Sequence, residues 1–257
     1  MDRTDTIKKE LIVLFDEMLV HGKEFKRKSY AGAIEDARER YRHTVDAIIQ
    51  CFAASPIEEK AALTDELARV IPDHAYEKMQ SVKKRSRERI SVDYNMNMAV
   101  YVVPILNYSR QADCLALTER MVELWNEKGI TNMNLMHSTY DDIAAGFEHR
   151  LCYITTAVCR SMGKPDDCYE LQAFRNFRDS YLIKTPEGRS LVDEYYELAP
   201  GIVMLINMRQ DAGEIYEKIY NEHLKPCLGF IEEGNNEACR RRYESMTRGL
   251  KEKYLYA

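Results

Sequence analysis

The sequence predicts an all-α protein, a multi-helix bundle of about nine to eleven helices whose two helical layers can share one core. Three observations lead there. The chain of 257 residues is 45% hydrophobic and 31% charged with only 11 Gly and 7 Pro, a composition of helices rather than of turn-rich β structure. Its apolar residues recur at spacings of three and four over most of its length, the period of a half-buried helix. Pro also stands where helices are expected to start, in Ser55-Pro56 and Thr185-Pro186, positions at which its missing N–H is not needed.

The elements follow in order. Ile7, Leu11, Leu14, Phe15, Met18 and Leu19 form one stripe on a first helix ending near Gly22 or running into Lys28. A second helix, from about Tyr30 to Ala54, carries Ile34, Ala37, Tyr41, Val45, Ile48 and Phe52 on one side. Ser55 with Glu58 reads as a capping box that opens a third helix, stopped before Pro72. A fourth is expected from Asp73 through Arg89, and a fifth from Ile90 to Asn107. The span from Arg110 to Lys128 is amphipathic through Leu115, Leu117, Met121, Val122, Leu124 and Trp125, with Gly129 as its C-cap. Thr131-Asn132-Met133-Asn134 is the linker candidate. It divides an N-terminal bundle, residues 1–130, from a C-terminal helical region, residues 138–257, in which Ser138 with Asp141 opens the next helix.

After Cys152 the residues suit a buried helix ending at Gly163-Lys164-Pro165, although Ile154-Thr155-Thr156 also permits a short strand. Asp166 or Asp167 is expected to cap the next helix, with Leu171, Phe174, Phe177 and Tyr181 as its stripe. Thr185-Pro186-Glu187 starts another, with Leu191, Tyr195, Leu198 and Ile202 inward and Pro200 as an expected kink. Two further helices around Pro226 and Gly234 complete the chain. The segment from Cys152 to Ile206, with its C-Y-I-T-T-A-V-C start, F-R-N-F-R-D-S-Y-L helix and T-P-E-G-R helix start, resembles the bacterial CFI-box domain. That resemblance makes Cys152 the hallmark position and brings no biochemical activity with it. The chain differs in having Tyr153 where the module has Phe. It also continues for about 50 residues where the module ends, which speaks against a role needing a free C-terminus.

The balance of charges narrows the function classes. A net charge of −5 and a pI near 5.8 give no global attraction for nucleic acid or an anionic membrane. The longest apolar run, Met98 to Leu106, is about half the ~20 residues that span a bilayer and contains Pro104, so no membrane span is expected. The acidic first residues and seven cysteines without a C-x-x-C pair lead to an expectation of free thiols in a cytoplasmic protein. No phosphate loop, H-E-x-x-H, calcium loop or G-x-S-x-G is present, and no metal or cofactor is expected.

Three sets of residues hold possible chemistry. His149 and Cys152 are three apart, so on a helix they share a face, and an imidazolium beside the thiol would make Cys152 a nucleophile. The bland reading makes Cys152 a small packed hydrophobe. Cys159 and Cys168 could join them in a metal site, but the gaps of three, seven and nine match no zinc pattern. Arg175 and Arg178, beside Phe174 and Phe177, could hold an anionic ligand or pair with Asp179, Asp193 or Glu194. Lys83, Lys84, Arg85 and Arg87 could form a local anion-binding patch, as could Lys23 to Lys28 or Arg240 to Arg242, and each is also an ordinary solvated helix face. The reading that results is an intracellular interaction or docking protein with an unidentified protein partner, and nucleic acid is not expected as one. The alternatives are a thiol-dependent enzyme or redox sensor using Cys152 with His149, and anion binding by residues 83–89.

Overall fold

The computed structural model describes residues 3–22, 27–131, 133–137 and 152–255, and it has the expected all-α fold, with no strand among the described residues. The chain divides into two compact units, Met1–Phe25 with Ser29–Gly146, and Phe147–Ala257 with Lys26–Lys28. The expected helix opening at Ser138 lies outside the described residues.

The N-terminal unit is built from α1 (Arg3–Gly22), α2 (Arg27–Ala54), α3 (Lys60–Ala68), α4 (Val70–Gln80), α5 (Lys84–Asn97), α6 (Val103–Asn107) and α7 (Ala112–Glu127). Ile7, Leu11, Leu14, Phe15 and Met18 are all buried, so the stripe read from α1 is its core face. α1 packs on α4 and α5, and Asp16 ties it to α4 by accepting from Lys78 Nζ at 2.8 Å and facing His74 Nε2 at 3.0 Å. α7 lies on α3 and carries Trp125, whose Nε1 donates to Asn95 Oδ1 at 2.9 Å. Gly129 follows α7 at φ +58°, the left-handed position that a helix end reserves for glycine.

Several boundaries differ from the sequence reading, each for a local reason. The Ser55 hydroxyl donates to the Cys51 carbonyl at 2.9 Å, so it closes α2 instead of capping the next helix, and α3 begins only at Lys60. Pro72 lies in the first turn of α4, where its missing N–H has no helical acceptor, and the break falls at Arg69 instead. α4 ends at Gln80 because Lys83 is extended, with φ −60° and ψ 137°, and the basic run starts a new helix.

Two widened π turns share one cause. The segments Met98–Val102 and Tyr220–Leu224 each end two residues before a proline, Pro104 and Pro226. A proline ring clashes with the carbonyl four residues back and offers it no N–H. Both freed carbonyls have other partners. Val100 accepts from the Tyr30 hydroxyl at 2.9 Å, and Glu222 accepts from Arg242 Nη2 at 2.7 Å. The apolar run Met98 to Leu106 is therefore one bent, buried helix, and among the described residues no helix is long and apolar enough to cross a membrane.

The C-terminal unit comprises α8 (Tyr153–Ser161), α9 (Tyr169–Ser180), a short 3-10 turn (Leu182–Lys184), α10 (Pro186–Asn207), α11 (Ala212–Ile219), α12 (Lys225–Glu232) and α13 (Asn236–Leu255). α10 is its centre, packed against α8, α11 and α13. Ile154, Thr155 and Thr156 are helical: Thr156 N–H donates to the Cys152 carbonyl at 2.7 Å, and packing of α8 overrides the β propensity of the run. α8 ends in a Schellman turn, with Gly163 N–H to Arg160 O at 3.0 Å and Lys164 N–H to Cys159 O at 2.9 Å. Neither Asp166 nor Asp167 caps α9. Cys168 takes that place, and Asp166 instead makes a two-point pair with Arg160 at 3.1 and 2.8 Å. Thr185 does cap α10, its hydroxyl accepting from Gly188 N–H at 3.0 Å with Pro186 at the first position. α10 continues through the buried Pro200 to Asn207.

Candidate functional site

Cys152 stands at the N-cap of α8, beneath α10, and is 5% exposed. Its thiol borders a cavity of about 30 Å³ lined by Phe174, Phe177, Leu182, Arg178 and the tyrosines 195, 196 and 243. That volume holds about one water molecule. Small-molecule sites run to roughly 300–1,000 Å³.

The walls explain why the aromatic residues converge. Leu171, Phe174 and Phe177 lie on the inward face of α9, and Tyr195 and Ile202 on that of α10. Tyr195 and Tyr243 meet at a ring separation of 5.6 Å, Phe174 and Tyr243 at 5.7 Å, and Tyr153 and Tyr196 edge to face at 6.0 Å. The Tyr195 hydroxyl accepts from Ile154 N–H at 2.8 Å, satisfying a first-turn amide of α8 that has no helical acceptor. Burial holds the Tyr195 hydroxyl well above its ordinary pKa, so it remains protonated.

Electrostatics at Cys152 favour the neutral thiol. Burial pushes its pKa up, the Arg178 and Arg175 guanidinium groups pull more weakly the other way, and Asp179 adds to the rise. Arg178 is engaged within the unit: Nε and Nη2 donate to Asp179 at 2.7 and 2.9 Å, and Nη1 donates to the Tyr196 hydroxyl at 2.6 Å. Arg175 is half-buried on the same helix. His149, the expected base, lies outside the described residues, as do the side chains of Lys23 to Lys28.

The basic run belongs to the N-terminal unit and is split in its roles. Arg87 Nε donates to the Val82 carbonyl at 3.1 Å, closing the chain between α4 and α5. Lys83, Lys84 and Arg85 are exposed around the start of α5, whose first turn carries no acidic residue. A wider groove of about 270 Å³ in the same unit contains Arg38 and Arg42, but these pair with the groove's own Glu35 and Glu39. Arg240 is likewise paired, with Glu237 at 2.7 Å.

The seven cysteines are free thiols, and among the described residues no group of three or more His, Cys, Asp or Glu side chains is placed to hold a metal ion. Cys152 is therefore not gathered with Cys159 and Cys168 into a metal centre. Sequence reasoning missed Tyr195 and Tyr243, which make most of the enclosure around Cys152. Tyr195 was visible as a core position on α10, but its hydrogen bond to α8 has no local signature. Comparison with protein-family models, with curated proteins and with solved structures found no match to the chain.

Proposed function

We propose that this is a soluble intracellular, cytoplasmic protein of bacterial type that acts by interaction and not by catalysis. In this reading the CFI-box-like segment, Cys152 to Ile206, is a packing and docking unit, and its hallmark cysteine is a core residue. The observation that carries the reading is the enclosure of Cys152 among aromatic rings, with burial keeping its thiol protonated. A nucleophilic cysteine needs a reachable thiolate and a positioned base. Support comes also from the engaged state of Arg178, which leaves Asp179 and Tyr196 as its ligands instead of an external anion.

The test is the reactivity of the native protein toward a small thiol probe between pH 5 and 9, read by mass spectrometry at each cysteine. Cys152 is expected to stay unlabelled until the protein unfolds. Rapid labelling with an apparent pKa below the free value of about 8.5 would establish the thiol-enzyme or redox reading with Cys152 and His149. Cys152→Ser is expected to lower stability by about 1–3 kcal/mol, because a hydroxyl enters an apolar enclosure without a partner.

A second reading has one specific observation behind it. Lys83, Lys84 and Arg85 are solvent-facing and engaged in no ion pair, at a helix start that favours negative charge. Their use for a polyanion predicts association with a mixed-sequence oligonucleotide that weakens steeply with salt. We expect a flat titration from 50 to 200 mM salt; a steep one, abolished by replacing all three with alanine, would favour the anion-binding reading.

A further inference from the structure

The hairpin joining α8 to α9 brings together chemistry that the Cys152 enclosure does not use. Cys159 is wholly buried in the last turn of α8, and Cys168 is half-buried at the N-cap of α9. The Schellman turn at Gly163 reverses the chain, and Cys168 N–H donates to the Pro165 carbonyl at 3.1 Å, so residues nine apart meet. The two thiols are hydrogen-bonded to each other. The Cys168 thiol also hydrogen-bonds the Glu170 carboxylate, which is paired with Lys164, and the Lys164 ammonium lies 5.2 Å above the Tyr220 ring. The result is one partly exposed sulfur, a carboxylate able to take its proton, a cation holding that carboxylate, and a second sulfur sealed behind the first.

We propose that Cys159 and Cys168 form a dithiol that a hydroperoxide oxidises to a disulfide, with Cys168 reacting first and Cys159 resolving. Cys168 gives its proton to Glu170 and its sulfur attacks one peroxide oxygen. The O–O bond breaks, a sulfenic acid forms on Cys168, and the departing hydroxide takes the proton from Glu170 to leave as water. Cys159 then attacks the sulfenic sulfur. The S–S bond forms, the S–O bond breaks, and the second hydroxide leaves as water with the Cys159 proton. Two thiols lose two electrons, and hydrogen peroxide is reduced to two waters. The order follows from access and charge: Cys159 is sealed, and burial with the adjacent Cys168 holds its thiol up at about 12.

The molecule contains its own control. Cys227 and Cys239 also sit across a helix hairpin, with Cys227 Sγ 3.8 Å from the Cys239 carbonyl, but both are wholly buried and no carboxylate accompanies them. The experiment is to treat the reduced, full-length native protein with equimolar hydrogen peroxide, block remaining thiols, digest with trypsin and map the cysteines by mass spectrometry. Cleavage after Arg160 separates Cys159 from Cys168, so the disulfide appears as two tryptic peptides linked and two hydrogens lighter. We expect that linkage, with Cys227 and Cys239 still reduced. Cys168→Ser should abolish it, Cys159→Ala should leave a sulfenic acid on Cys168 that dimedone traps, and Glu170→Gln should slow the linkage about tenfold or more. Oxidation of Cys168 to sulfinic or sulfonic acid without linkage, a bridge between other cysteines, or no reaction would each overturn the proposal.

Discussion

Gly188→Ala is expected to destabilise the C-terminal unit by about 2–4 kcal/mol, a large effect for the addition of one methyl group. A Cβ at this position would lie 2.0 Å from the Leu182 carbonyl oxygen, 2.8 Å from its carbon and 2.9 Å from the Thr185 hydroxyl. Two of these three atoms are backbone, so no side chain can rotate away. Relief requires moving the 3-10 turn at Leu182–Lys184 off the first turn of α10, and that motion also breaks the Thr185 cap to Gly188 N–H. Leu182 borders the Cys152 enclosure, so the displacement should loosen the aromatic cluster as well. Urea denaturation followed by far-UV circular dichroism measures the effect. A loss below about 0.5 kcal/mol, the size of an ordinary surface substitution, would show that the close approach is not a constraint.

The second large effect is expected at Trp125, the one tryptophan of the chain. Trp125→Ala should cost about 3–5 kcal/mol, the usual range for emptying a large aromatic site. Its ring is 1% exposed and lies 6.1 Å from Phe15 and 6.4 Å from Tyr94, where α1, α5 and α7 converge. It also donates to Asn95 Oδ1, an oxygen that accepts from Thr131 as well at 3.0 Å. Trp125→Phe keeps much of the ring volume while removing the N–H, so it should cost less than the alanine change. Because the fluorophore is removed, the comparison is made by calorimetry. Equal losses for Ala and Phe would mean that the hydrogen bond, and not the packing, dominates.

These two positions differ in how far the sequence discloses them. Trp125 falls on an apolar stripe with Leu117, Met121, Val122 and Leu124, so its burial was readable from spacing alone. Thr185 and Pro186 were readable as a helix start because capping is local chemistry. Gly188, three residues on, carries no local signal: φ there is ordinary, and the need for glycine arises only from the carbonyl of Leu182 folding back across the helix start. Ser55 shows the converse failure. Its hydroxyl had two reachable partners, and the capping-box reading chose Glu58 when the Cys51 carbonyl was the one used.

The candidate site shows the same division. The cysteine and tyrosine positions are in the sequence, but whether Cys152 is a nucleophile or a packed thiol depends on what encloses it, and Phe174, Tyr195 and Tyr243 come from three helices. The meeting of Cys159 with Cys168 had a faint signal, in a helix end at Gly163 and a turn at Pro165 between them. The hydrogen bond to Glu170 had none.

By itself the sequence determined the helical class, the inward stripe of most helices and the glycine stops at Gly129, Gly163 and Gly234, since periodicity, propensity and capping act within a few residues. Tertiary structure alone decided the continuity of the helices through Pro104 and Pro226, the engagement of Arg178 and Arg87, and the sealing of Cys152. Each of these depends on a hydrogen-bond acceptor or a low-dielectric neighbour brought up by packing, and packing joins groups that no short-range pattern relates.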